Sequence, residues 1–252
     1  MIKIEILKDL IKTILFTGYV ENEKPISVMF VGKVGSGKSE IINTFKLNDN
    51  IAYFTDLTYM GLIQLLKDNP NLKHIAIPDF LKITMKKKST MDNVTSAFNA
   101  LMEEGLDKIS MMGMQHDFKG INVGIITATT KGSFAQHTNK WKAMGFLSRM
   151  LIISYDYKDD TIKDIFEYIF NRRYLTDKKE KISLPFKKLE VILTDKQARQ
   201  LKDKDTDFRR QKQLQTLVMA RALMNDRTEV NDQDIKDINN FKKFLNLNYT
   251  KI

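Results

Sequence analysis

Ile26-Ser27-Val28-Met29-Phe30-Val31-Gly32-Lys33-Val34-Gly35-Ser36-Gly37-Lys38-Ser39-Glu40 is the stretch that decides the fold. Ile26 to Val31 is an apolar run of strand length, as expected of a strand covered on both faces in a parallel sheet. Gly32 to Ser39 matches G-x-x-x-x-G-K-[ST], and helical spacing starts at Glu40. Strand, glycine loop and helix in that order make a phosphate cradle. Gly32, Gly35 and Gly37 let the loop curl, so that backbone N–H groups through Val34, Ser36 and Glu40 converge on phosphate oxygens at the positive end of a helix. Lys38 brings a point charge to the outer phosphates and Ser39 a hydroxyl for Mg²⁺. The motif predicts binding of a nucleoside triphosphate with Mg²⁺.

Apolar runs of similar length recur outward from this stretch, at Ile51 to Thr55, His74 to Pro78, Ile121 to Thr127 and Met150 to Tyr155. Segments of helical spacing separate them, which predicts α/β architecture. Ile4 to Phe16 carries a helical stripe, and Gly18 to Pro25 reads as a loop. Asp92 is placed to cap a helix whose apolar face is Val94, Ala97, Phe98, Leu101 and Met102, ending at Gly105. Ile109 to Gly120 suits a hairpin. After Asp156 the strand signal stops, and Thr161 to Arg173, Thr194 to Lys202, Asp207 to Met224 and Asn231 to Leu245 all show helical spacing. The expected organisation is a P-loop α/β body over 1–156, with a parallel sheet flanked by helices, and a smaller helical lid domain over 157–252.

The chain has 252 residues, 42% hydrophobic and 29% charged, which fits a folded domain rather than a disordered tail. It has no cysteine and 3 scattered histidines, so thiolate metal sites and thiol nucleophiles are excluded. Its apolar runs are too short for a membrane span and its start lacks a signal-peptide pattern, so the expectation is an intracellular, cytoplasmic protein without membrane contact. Lys and Arg total 41 against 31 Asp and Glu, a net +10 that favours an acidic partner such as DNA. A Lys- and Ile-rich composition accounts for the same excess without DNA.

The strand from His74 ends Pro78-Asp79-Phe80, where P-loop proteins carry acids that hold the metal's hydration shell and polarise the attacking water. Asp79 is the one carboxylate there. It stands either in the place of the metal acid or in that of the acid that acts on water, and each alignment leaves one acid short. Lys82, Lys86, Lys87 and Lys88 follow in what reads as a polar loop, either a contact for DNA phosphates or a solvated basic loop. Lys108, His116 and Lys119 near the hairpin extend the same surface. Trp141, between Lys140 and Lys142, reads as a packing anchor more readily than as a base-stacking platform.

From about Ile26 to Ile235 the motifs fall in an order that resembles the AAA+ ATPases, within them the clade of MCM helicases, magnesium chelatase and MoxR-type ATPases. Leu101 to Gly105 with Ile109 to Gly113 is similar to the helix and hairpin before sensor 1. Ile125 to Thr130 resembles the sensor 1 strand, with Thr130 where the family usually has Asn. Gly145 to Met150 is similar to the arginine-finger segment, with Arg149 in the finger position. Phe208-Arg209, followed by Ala220 to Leu223 and Val230 to Ile235, resembles the sensor 2 helix and its successor. The resemblance implies ATP and Mg²⁺ as ligands, Asp79, Thr130, Arg149 and Arg209 as catalytic residues, and Ser39 and Asp79 at the metal. It further implies a homo-oligomeric ring or filament in which neighbours complete each site. The expected output is work on DNA by a replication, mobile-element, helicase-like or loader ATPase. The alternatives are a MoxR-like chaperone acting on a protein partner and an ATP-dependent scaffold with little hydrolysis. Asn139-Lys140-Trp141-Lys142 lacks the Asp of a guanine-reading element, which leaves less support for a GTPase.

Overall fold

The computed structural model describes residues 4–111, 114–173, 179–202 and 207–246. Helix α1 (Ile4–Thr17) leads into strand β1 (Ser27–Gly32), then α2 (Lys38–Asn43), β2 (Ile51–Tyr53), α3 (Tyr59–Asp68), β3 (His74–Ile77), the short α4 (Leu81–Thr84) and α5 (Lys88–Met102). Strands β4 (Leu106–Met111) and β5 (Met114–Ile121) form an antiparallel hairpin, as expected. Then come β6 (Gly124–Thr130), α6 (Lys131–Ala143), a 3-10 turn at Leu147–Arg149 and β7 (Met150–Ser154). Helices α7 (Asp159–Phe170), α8 (Asp195–Gln200), α9 (Phe208–Met224) and α10 (Asp232–Lys242) complete the described chain.

Five strands form one parallel sheet in the order β2-β3-β6-β1-β7. Every residue of β1 is buried, which is why its sequence runs apolar without polar alternation. Successive side chains still point to opposite faces. Val28 and Phe30 join a cluster with Leu7, Ile11 and Ile14 of α1 and with Leu217, Ile238 and Phe241 of α9 and α10. Met29 and Val31 join the other face, with Leu62 of α3, Phe98 of α5 and Trp141 of α6. The sheet is thus sandwiched between helical layers, and the C-terminal helices share a continuous apolar cluster with α1 and the sheet.

Side-chain caps fix several helix starts. Thr58 accepts from Gly61 N–H at α3, and Asn231 and Asp234 form a capping box at α10, where the sequence suggests a start. Two expectations are corrected. The helix assigned to Asp92 starts a turn earlier, at Lys88, so Asp92 is no cap; its carboxylate pairs with Lys140 at 2.5 Å. The segment read as a loop from Lys82 to Lys88 is helical at its two ends: Lys82 lies in α4 and Lys88 begins α5, while Lys86 and Lys87 are in the connection between them. Asp79 accepts from Leu81 N–H at 3.0 Å, and Phe80 anchors the segment in the core, so the chain turns into helix there. Trp141 is 1% exposed and packs edge-on against Phe80, which makes it a packing residue. Among the described residues no helix is long and apolar enough to cross a membrane.

Candidate functional site

The G-x-x-x-x-G-K-S stretch occupies the carboxyl end of β1, between the ends of β6 and β7, where loops of open parallel sheets form binding crevices. Gly35 and Gly37 have φ of 75° and 69°, in the left-handed region where a side chain is strained. Gly37 is also the N-cap of α2, with no side chain satisfying the first N–H groups of that helix. Val34 is exposed at the loop tip.

Lys38 folds back into the loop. Its ammonium donates to the carbonyls of Lys33 at 2.5 Å and Gly32 at 3.2 Å, and to Ser36 Oγ at 3.2 Å. Burial holds its pKa below the usual lysine range, and the charge of Asp79 partly offsets that shift. Asp79 is therefore close enough to act on the lysine. The Ser39 hydroxyl donates to the Pro78 carbonyl at 3.1 Å, joining α2 to the end of β3. Pro78 occupies the strand-end position facing Ser39, Asp79 follows it exposed, and Phe80 is wholly buried against Phe146. The exposed carboxylate is one residue beyond the Ser39 contact. Thr130 pairs in register with Gly32, and its hydroxyl accepts from Ser133 N–H at the start of α6. Thr130 and, one strand further out, Asp79 thus lie on the same side of the glycine loop.

Residues after β7 add a second layer that motif reading missed. Tyr157 donates to the Ser36 carbonyl at 2.7 Å, and Tyr155, with its ring 5.3 Å away, approaches the same oxygen at 3.4 Å. Burial raises the pKa of both phenols, so they are neutral donors over the loop. Asp156 gathers Lys131 at 3.4 Å and Lys33 at 3.9 Å. The available signal was their position directly after a strand beside β1.

Arg149 and Arg209 belong to the opposite edge of the sheet. Met150 pairs with Ser27, the first residue of β1, whereas the loop follows Gly32, so Arg149 lies about 17 Å from the loop along the strand. The Arg149 guanidinium reaches Glu103 at 2.6 Å and donates to the Gly145 carbonyl at 2.8 Å. Arg209 pairs with the other oxygen of Glu103 and donates to Ser148 Oγ at 2.6 Å. The structure therefore brings the two arginines to each other, and neither to Lys38. Arg210 is 4% exposed and bonds the Met150 carbonyl, which leaves Arg209 as the more open of the pair.

Of the four lysines, Lys82, Lys87 and Lys88 are exposed, whereas Lys86 pairs with Asp56 at 2.7 Å. A cleft of about 630 Å³ lies between α3 and β5, lined by Lys67, Gln115, His116, Phe118 and Lys119. At the glycine loop the Lys38 side chain lies against the loop carbonyls. Chemistry still favours the loop, because it combines left-handed glycines, a lysine and a hydroxyl with the nearby Asp79 carboxylate. Among the described residues no group of three or more His, Asp and Glu gathers to hold a metal ion. The chain matches no family model, and no curated protein matches it either.

Proposed function

We propose that this chain is an ATP-binding P-loop ATPase whose copies assemble so that one copy's Arg149 completes the site of the next. The observation that carries it is the Gly32–Ser39 loop at the carboxyl end of β1, with left-handed Gly35 and Gly37 and Lys38 folded onto its carbonyls. Phosphate oxygens would replace those carbonyls as acceptors from Lys38, and backbone N–H groups at the start of α2 would meet the same phosphates. Ser39 and Asp79 offer a hydroxyl and a carboxylate near Lys38, which suits Mg²⁺ held mainly through ATP and water. Mg²⁺ supplies charge neutralisation on the outer phosphates. Asp79, exposed one residue beyond the Pro78 that Ser39 meets, is the carboxylate that would serve either the metal's hydration shell or the attacking water, and Thr130 would help to orient that water. This arrangement, with one acid, favours slow turnover.

The geometry around Arg149 supports assembly. A guanidinium at the amino edge of the sheet, about five strand residues from the loop, is too far to meet the phosphates of its own chain, so it would serve only the site of a neighbour. Helix α5, the hairpin, β6 and Arg149 follow one another in the order seen in AAA+ ATPases, and this supports that reading of the family. We favour DNA as the target of the work, with exposed Lys82, Lys87 and Lys88 and the basic cleft at the hairpin as its contacts. The test is sedimentation of the protein with ATP, with and without DNA, alongside turnover. ATP-dependent growth with hydrolysis is expected. A chain that stays monomeric while hydrolysing at full rate overturns the shared site, and absence of DNA binding even at low salt turns the target towards a protein.

A further inference from the structure

Glu103 lies between α5 and the hairpin and is the only carboxylate bonded to both Arg149 and Arg209 among the described residues. Its two oxygens divide the guanidiniums between them. The fit is incomplete: Arg149 Nε and Glu103 Oε2 are 2.6 Å apart, yet neither makes an aligned hydrogen bond, and both atoms are shielded from solvent. A phosphate oxygen in line with Nε would make a straighter charge-assisted bond than this carboxylate oxygen does. Gly145 makes the packing possible. A Cβ there would stand 2.5 Å from a terminal nitrogen of Arg149, so the guanidinium lies directly over the glycine.

The main chain of Glu103 is tied to the hairpin. Its carbonyl accepts from the ammonium of Lys24 and, at 3.5 Å, from the side-chain amide of Asn122, which also donates to Leu101 at 3.0 Å. Asn122 directly follows β5, and Gly105 precedes β4, so both stems of the hairpin close on the residues that present this carboxylate. Glu104 and Gly105, the latter with φ of 83°, are the two residues between Glu103 and β4.

We infer that Glu103 is a latch: it occupies Arg149 and Arg209 in the isolated chain and gives up the pair to the terminal phosphate bound to a second copy. The carboxylate stands in for that phosphate, which offers more oxygens and a higher charge to two adjacent guanidiniums. The handover deepens the reading of the chain as an assembling ATPase and rests on it, whereas the clamp itself does not. Glu103 is thus a positioning residue that acts through the arginines.

Two measurements separate the clamp from the ATPase. The first is the rate at which phenylglyoxal modifies Arg149 and Arg209, followed by mass spectrometry without nucleotide, in wild type, Glu103→Gln and Glu103→Asp proteins of equal thermal stability. Glu103→Gln keeps the shape and removes the charge, so both arginines should react roughly threefold to tenfold faster, with Arg210 unchanged. Glu103→Asp should fall between. Unchanged rates at Arg149 and Arg209 overturn the latch whether or not the protein hydrolyses ATP. The second is turnover: Glu103→Gln should raise hydrolysis roughly threefold or more at unchanged ATP affinity, and the gain should vanish in an Arg149→Ala background. Faster modification without any wild-type turnover leaves the clamp standing and removes the ATPase reading. Faster modification with slower turnover in Glu103→Gln overturns the latch, since it makes the carboxylate a support for catalysis.

Discussion

The two edges of the parallel sheet carry different kinds of chemistry and encode them in different ways. At the carboxyl edge, the glycine loop, Lys38 and Ser39 are contiguous in sequence, and every bond Lys38 makes is within six residues. At the amino edge, Glu103, Arg149 and Arg209 are brought together by α5, the turn before β7, and α9. A local site is legible because its backbone geometry, two left-handed glycines before a helix, has to be written where it is used. A site assembled from residues 103, 149 and 209 writes each member as an ordinary surface charge. Shared neighbours identify it, and those appear only after folding.

The sharpest break between the edges is removal of Lys38. Lys38→Ala deletes the ammonium that loop carbonyls hold and phosphates would claim, without touching the sheet, and ATP affinity should fall by a factor of about 100 or more. Isothermal titration of folded wild type and variant measures it. Wild-type affinity in the variant would dissolve the distinction between the edges, since the carboxyl edge would then hold no nucleotide.

Arg149→Ala should act in the opposite sense, leaving ATP affinity within about twofold and lowering hydrolysis by roughly 10²-fold or more, in the range of supplied arginines. Mixing it with Lys38→Ala should recover part of the activity, because an interface that sets the loop of an Arg149→Ala copy against the arginine of a Lys38→Ala copy is intact. Recovery on mixing places the two halves of the site on different chains. A loss of affinity in Arg149→Ala would put both edges in one site, which the strand register does not allow.

The parallel sheet and its flanking helices were legible in the alternation of apolar runs with helical spacing, because burial on both faces imposes that pattern on the strands. The capping of α10 was equally readable, since Asn231 and Asp234 need only each other and the helix start. The segment from Lys82 to Lys88 shows the limit: it is polar enough for a loop, but with Phe80 anchored in the core and the Asp79 carboxylate accepting from Leu81 N–H, the chain forms the short α4 through Lys82 before the connection at Lys86 and Lys87. Tyr155 and Tyr157 escaped notice because an aromatic pair after a strand has no motif, and its role comes from the adjacency of β7 to β1. Glu103 escaped for the same reason.

The placement of the four lysines also sets the size of a third effect. With Lys86 committed to Asp56, replacing Lys82, Lys87 and Lys88 with Gln is the variant that strips exposed charge from this face. DNA affinity should weaken across unrelated sequences, and the slope of log K against log salt should flatten by about 0.7 to 0.9 for each phosphate that no longer meets a lysine. ATP binding should persist. Equal slopes would place DNA elsewhere, and the hairpin cleft with His116 and Lys119 is then the next surface to alter.

The smallest effect isolates the charge balance of the amino edge. Burial pushes the Glu103 carboxyl up, but Arg209 and Arg149 outweigh it and hold the group below its ordinary value of 4.5. A carboxyl lowered in the folded state stabilises the fold above its unfolded pKa and loses that contribution as pH falls through the lower folded value. Burial pushes Glu180 up as well, Lys12 and Lys8 outweigh it in the same way at a separate place, and that carboxyl serves as the internal control. Denaturant unfolding of wild type and Glu103→Gln should therefore differ by at most about 1 kcal/mol at neutral pH, since Glu103 is partly open to solvent. The two should converge as pH falls below 4.5, while the shared loss from Glu180 remains in both. Curves that stay parallel through the acid range would mean that the carboxylate charge adds nothing to the amino edge. The arginines would then be held there by Gly145 and Ser148 alone.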